Sequence, residues 1–215
     1  MGLTTKDTGG ADFEPAPAGN DAGRCYMVLD LGTQYNRMFD NYRRQVFIGF
    51  ELPNTERKWK DENGQEHSMP FTIGSFYTNS LSEKANLRHD LESWRGRPFT
   101  EQELQGFDLQ KILGVPALVN VMHKEKQGGG TKAVIGSISP LPKSMQCPEK
   151  IHESVFFSLE EPFDEAVFEK VPKGFQDMIK KSEEWNKEEK TEFVDDEIPN
   201  MHFGGNIHED DIPGF

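Results

Sequence analysis

Between Gln45 and Leu52 the residues alternate: Val46, Ile48, Phe50 and Leu52 are apolar, with Gln45, Phe47, Gly49 and Glu51 set between and before them. A period of two sends the first set to one face of an extended strand, and four large apolar side chains in a row make that a core face. This run commits the chain to a sheet, and similar runs flank it. Residues 24–31 (RCYMVLDL) precede it, and 68–77, 117–124 and 131–138 follow. Turn-forming residues separate them, namely Asn63-Gly64 and the Gly128-Gly129-Gly130 run. A helix is predicted between the third and fourth strands. Ser80 with Glu83 forms a capping-box pattern, Leu87, Leu91 and Trp94 form a buried stripe, and Gly96 stands where a left-handed C-terminal cap belongs. Thr100 with Glu103 repeats the box for a second short helix ending near Gly114. The predicted class is mainly β: a five-stranded OB-like barrel with a helix between strands three and four, an order that other five-stranded barrels share.

The ends of the chain read differently. Residues 1–22 are Gly, Ala, Pro, Asp and Thr with one aromatic, Phe13, which predicts a flexible arm. The barrel is expected over 23–142. An extension over 143–190 carries an apolar patch at 155–159 and a helix from about 173 to 190, and 191–215 reads as an acidic, disordered tail. Hydrophobic residues are 34% of the chain, under the roughly 45–50% of a packed domain (a count that includes Gly), as expected if the ends add little to a core. Charge is divided the same way. Residues 1–150 hold 18 Lys+Arg against 19 Asp+Glu, while 151–215 hold 6 against 18, so nearly all of the −13 lies in the last third. Residues 23–150 alone carry 17 basic and 15 acidic side chains, a balance that permits an anionic ligand despite the acidic total.

No run of 18 apolar residues and no basic-then-apolar leader occurs, so a soluble cytoplasmic protein without membrane contact is expected. Cys25 and Cys147 are far apart, with no CxxC pair and no clustered histidines, so neither a zinc site nor a disulfide framework is expected. Phosphate-loop, HExxH and GxSxG patterns are absent, His67, His89, His123 and His152 are scattered, and no catalytic residue or cofactor is nominated.

An OB barrel binds its ligand between the loop joining strands one and two and the loop joining strands four and five. The first of these, residues 32–44, interleaves Tyr35, Phe39 and Tyr42 with Arg37, Arg43 and Arg44. The second carries Lys124, Lys126 and Lys132 around its glycines. Phe47 points off the core face beside Gly49, leaving room for a base, and Trp59 sits between Lys58 and Lys60 after strand two. Lys84, Arg88 and Arg95 lie together on the helix as a solvated face or a groove wall. Aromatic faces stack on unpaired bases and cations neutralise phosphates, which is the mixture single-strand binding needs. Any one aromatic in a barrel is more often core than platform; two basic-aromatic loops together favour a ligand.

The chain ends HEDDIPGF. Glu209, Asp210, Asp211, Ile212, Pro213 and Phe215 look like the tip of bacterial single-strand-binding proteins, with Gly214 inserted. DLGTQ at 30–34 and LESWRGRPFT at 91–100 likewise look like phage replication and recombination proteins. The chain thus resembles the single-stranded-DNA-binding proteins of bacteriophages. The resemblance implies single-strand coating during replication or recombination, and a tail that recruits partners by seating acidic residues on a basic rim and the last Phe in an apolar pocket. Asp195, Asp196, Glu197, Ile198 and Pro199 form a second copy of the acidic Ile-Pro pattern fourteen residues upstream. Both copies are expected to dock partners, or the inner one to fold onto the basic groove. A homo-oligomer is compatible with this reading. The rival readings are an interaction module that mimics DNA or the tip to block a host nuclease, and a virion structural adaptor.

Overall fold

The alternating segment at 45–52 forms the middle of a 20-residue strand. The computed structural model describes residues 14–36, 40–61, 63–126, 129–160 and 164–186. In chain order these form β1 (Gly19–Asn36), β2 (Asn41–Lys60), β3 (Glu66–Thr78), α1 (Asn86–Arg95), α2 (Glu101–Gln105), a 3-10 turn (Leu109–Ile112), β4 (Pro116–Glu125), β5 (Thr131–Ser139), β6 (Val155–Phe157), α3 (Glu165–Lys170) and α4 (Lys173–Ile179). Five long strands make one antiparallel sheet in the order β3-β2-β1-β4-β5, curled into a half-barrel with α1 between β3 and β4 in the chain. Strand β1 is the hinge of the curl. It pairs with β4 over 19–24 and with β2 over 24–36, and register shifts at Cys25/Met27 and Asp30/Gly32 mark the bulges that let it bend. Strands β3 and β5 are the two edges, and no ladder joins them among the described residues.

Inside the curl, Val46, Ile48, Phe50 and Leu52 are all buried, with Cys25, Val28, Val119, Val121 and Ile138 around them. Leu87, Leu91 and Trp94 of α1 complete this cluster. Trp94 meets Phe50 edge-on at 5.0 Å, and its indole N–H donates to the Pro116 carbonyl at 2.9 Å, so a large ring is buried without stranding its polar end. Each such ring stabilises the fold by roughly 2–3 kcal/mol through burial. Helix α1 starts later than the Ser80–Glu83 pattern predicts. Ser80 Oγ instead accepts from Ser82 N at 3.2 Å in a turn, and α1 begins at Asn86 after an extended Ala85 that offers no side-chain cap. The stop is as expected: Gly96 has φ 67°, and the N–H groups of Gly96 and Arg97 bond back to Ser93 and Glu92. The Thr100–Glu103 box is reciprocal, at 3.3 and 2.9 Å, but α2 lasts only to Gln105. Asp108 then caps the separate 3-10 turn that precedes Gly114.

A second apolar cluster lies on the other face of the sheet. Met27, Leu29 and Leu31 of β1 pack there against Val155, Phe157, Leu159, Phe168, Val171 and Ile179. The RCYMVLDL run is therefore apolar because both of its faces are covered. The patch at 155–159 does fold back on the barrel, as a short strand parallel to β1. Buried polar groups fasten the extension. Glu51, fully buried, accepts from the backbone N–H groups of Ile151 and His152 at 2.7 Å each and from His152 Nδ1. Asp30 accepts from Leu159 N at 3.2 Å, Glu184 from Thr33 N and Oγ1, and Arg24 donates to the carbonyls of Gly114, Cys147 and Pro148. Gly32 permits this closure: at φ 67°, a Cβ there would stand 2.4 Å from Ser182 Cβ. The predicted helix over 173–190 breaks after Ile179; residues 183–186 are helical again, and 187–190 lie outside the described residues.

The arm predicted over 1–22 overlaps β1, which takes in residues 19–22. Gly19–Arg24 pairs with β4, and Ala16 and Ala22 are buried, because small residues fit where the sheet crowds. Residues 1–13 lie outside the described residues. No helix among the described residues is long and apolar enough to cross a membrane.

Candidate nucleic-acid interface

Strand β2 outruns its partner β1. Their last pair is Glu51 with Arg24, and beyond it residues 56–60 pair only with β3, after an irregularity between Leu52 and Glu56. The β4–β5 hairpin likewise continues past Val121, the residue opposite Gly19. Both hairpin arms therefore leave the sheet at the end where β1 begins. Between them lies a cleft of about 590 Å³, lined by Arg57 and Trp59 from one arm, Lys126, Thr131 and Lys132 from the other, Met69 to Gly74 along the floor, and Glu14 to Ala16.

Trp59 is 37% exposed, stacked on His67 across the ladder at 5.5 Å and 20°, with the Arg57 guanidinium 5.0 Å from its ring centroid. His67 is held in turn by Asp61 at 3.0 Å, and this hydrogen bond keeps the Asp61 carboxyl below its usual range. Trp59, expected after strand two, lies within β2 itself. As it lies in β2, the period of two sends Lys58 and Lys60 to the opposite face of the arm, where Lys60 pairs with Glu66 at 3.1 Å. Arg57 takes their place beside the ring. Sequence reasoning missed Arg57; beyond the irregularity after Leu52, the period of two within 56–60 puts it on the same face as Trp59.

On the second arm, Lys124 lies directly opposite Lys132 in the ladder, with Lys126 at the turn. None of the three has an ion-pair partner among the described residues. Like charges facing each other across a sheet are unfavourable, a cost that a bound anion would offset. His123, on the edge of this arm, is exposed and bonds through Nε2 to the Ala16 carbonyl at 2.8 Å, as a rim residue.

The other residues singled out from the sequence go elsewhere. Tyr35 and Tyr42 are exposed and face each other across β1 and β2, 5.2 Å between ring centres, while exposed Arg43 pairs with Gln34 in the next rung. Tyr35 donates to Asp40, which raises the phenol's pKa. This hairpin end and the β4–β5 turn sit at opposite ends of the 18-residue β1, so the two loops do not face one groove. Arg37 and Phe39 lie outside the described residues. Arg44 is bound to buried Asp30, which also holds the extension. Phe47 is no open platform. Its ring fills the space above Gly49 and Gly74 and packs on Phe76 at 5.1 Å and on Phe175 of α4 at 4.5 Å. The room that Gly49 leaves is taken by a neighbouring side chain. Lys84 is exposed, but Arg88 pairs with Glu92 and Arg95 with Glu103.

Every tail residue named above, from Asp195 to Phe215, lies outside the described residues. Among the described residues, no group of three or more His, Cys, Asp or Glu could hold a metal. No protein-family model matches the chain, and no curated protein matches it.

Proposed function

We propose that this protein binds single-stranded DNA through the cleft between the β2–β3 and β4–β5 arms, as a phage-type coating protein of replication or recombination. One observation carries the reading: an exposed tryptophan flanked by an arginine shares a cleft with Lys126 and Lys132, neither of which forms an ion pair among the described residues, and Lys124 stands opposite Lys132 in the ladder. A base stacking on Trp59 contributes roughly 1–3 kcal/mol whatever its identity, and Lys124, Lys126 and Lys132 meet the phosphates, giving affinity with little sequence preference. Such a site performs no chemistry; it holds a strand open.

The strand order supports an OB-type reading of the half-barrel. Bringing edges β3 and β5 together would give the cyclic order 1-2-3-5-4, with α1 at the junction of β3 and β4. The acidic Ile-Pro patterns at 195–199 and 209–213 fit partner docking, since short charged motifs on a chain end recruit proteins without disturbing the barrel.

Fluorescence anisotropy with a labelled oligo-dT of about 30 nucleotides, beside a duplex of equal length, tests the reading. Salt-sensitive binding to the single strand alone is expected. Changing Lys126 and Lys132 to Ala lowers the salt slope by about 0.7 each, the value for one single-strand phosphate contact. Equal binding to duplex, or none at low salt, overturns it.

A further inference from the structure

We propose that residues 14–16 form a strap across the basic cleft, that Glu14 competes there with nucleic-acid phosphate, and that His123 holds the strap in place. This deepens the reading of the cleft as a single-strand site and rests on it.

The composition of the N-terminal segment predicts nothing but a loose arm, yet its last part is fixed at two points. Ala16 is 4% exposed and belongs to the inner core cluster. Its carbonyl oxygen can only accept, so His123 Nε2, 2.8 Å away, carries the proton and donates. Pinned there, Glu14 and Pro15 line the cleft together with Arg57, Trp59, Lys126 and Lys132. Glu14 is the one carboxylate among the described residues lining that cleft. An anion tethered to the protein is present at high effective concentration, so an arriving phosphate meets cations already facing a negative charge. The strap is held by one methyl group and one side-chain hydrogen bond, which several phosphates and stacked bases together can outweigh. The cleft is thus kept from weak, stray anions and yields to a polymer that makes many contacts.

The full-length protein and its Glu14→Gln, His123→Ala and double variants are titrated with labelled oligo-dT of about 30 nucleotides. At about 50 mM salt each single variant is expected to bind roughly three- to fivefold tighter, the range of one exposed charge interaction, and the gain fades at higher salt. The double variant is no tighter than the better single one, because both changes remove the same obstacle. A readout without DNA accompanies this. Iodide quenching of tryptophan emission rises in His123→Ala, since Trp94 is buried, half-buried Trp185 packs on Phe168 in the other apolar cluster, and Trp59 lines the cleft the strap leaves. If the parent binds and both variants bind equally or more weakly, residues 14–16 are a wall of the site and the strap is overturned. If no variant binds at all, the cleft reading falls and takes the strap with it. Binding by His123→Ala alone supports both.

Discussion

At the α1–α2 corner, the Arg95 guanidinium lies 4.4 Å from the ring centroid of Phe99 and 5.1 Å from that of Phe107, and Glu103 binds both Arg95 and Arg97. In the cleft, the Arg57 guanidinium lies 5.0 Å from the centroid of Trp59, with Lys126 and Lys132 on the facing arm. Both regions join cations to aromatic rings. The corner also supplies carboxylates: Glu103 for Arg95 and Arg97, and Glu92 for Arg88. Its charge is consumed internally, with Phe99 buried and Phe107 half-buried, so the arrangement welds α1 to α2. The cleft leaves Lys126 and Lys132 without an ion pair among the described residues, with Glu14 the one carboxylate lining it, and its tryptophan part exposed. Basic-aromatic composition is therefore no measure of a binding site until the carboxylates are placed.

Three experiments press on this contrast. Arg95→Ala gives the largest effect. It strips Glu103 of one partner and two rings of a stacked cation, and a loss of about 2 kcal/mol in denaturant unfolding is expected. The loss is held to that size because Arg95 Nη1 is itself buried without a partner among the described residues. Oligo-dT affinity should not change; a fall in affinity at unchanged stability would make the corner part of the interface. Trp59→Ala comes next, with the opposite signature. Binding weakens about tenfold while the melting temperature moves by less than about 2 °C. A large drop in melting temperature would instead make Trp59 a piece of the fold.

The smallest effect is in pH. The hydrogen bond from Arg97, with the Thr100 N–H and Arg95 adding to it, holds the Glu103 carboxyl down from 4.5 to about 2. A depressed carboxyl stabilises the fold fully above its ordinary value and loses that contribution as pH falls from about 4.5 toward 2. Urea midpoints measured across that window should fall, and Glu103→Gln should flatten this part of the slope. An unchanged slope would mean that the corner is not electrostatically locked.

The 30–34 and 91–100 stretches hold the fold. In the 30–34 stretch, Asp30 gathers Gly32 N, Arg44 and Leu159 N, Gly32 makes room for Ser182, Thr33 bonds Glu184, and Gln34 donates to the Leu31 and Met178 carbonyls. In the 91–100 stretch, Leu91 and Trp94 are core, Gly96 ends α1, and Thr100 starts α2. Neither stretch lines the cleft.

The sequence by itself determined the five strands, the helix after the third of them, the inward set on β2 and the stop at Gly96, because alternation and capping are local properties. Tertiary structure decided the rest. The β1–β2 and β4–β5 turns were read as one groove, yet β1 is long enough to hold them at opposite ends. Lys58 and Lys60 were read as neighbours of Trp59, and strand geometry turned them to the other face. Phe47 and Gly49 were read as an opening, and Phe175, 128 residues along the chain from Phe47, covers that ring. A period of two fixes which face a side chain takes, but only long-range packing fixes what stands on that face, and a charge is free or spent according to partners the sequence does not place beside it.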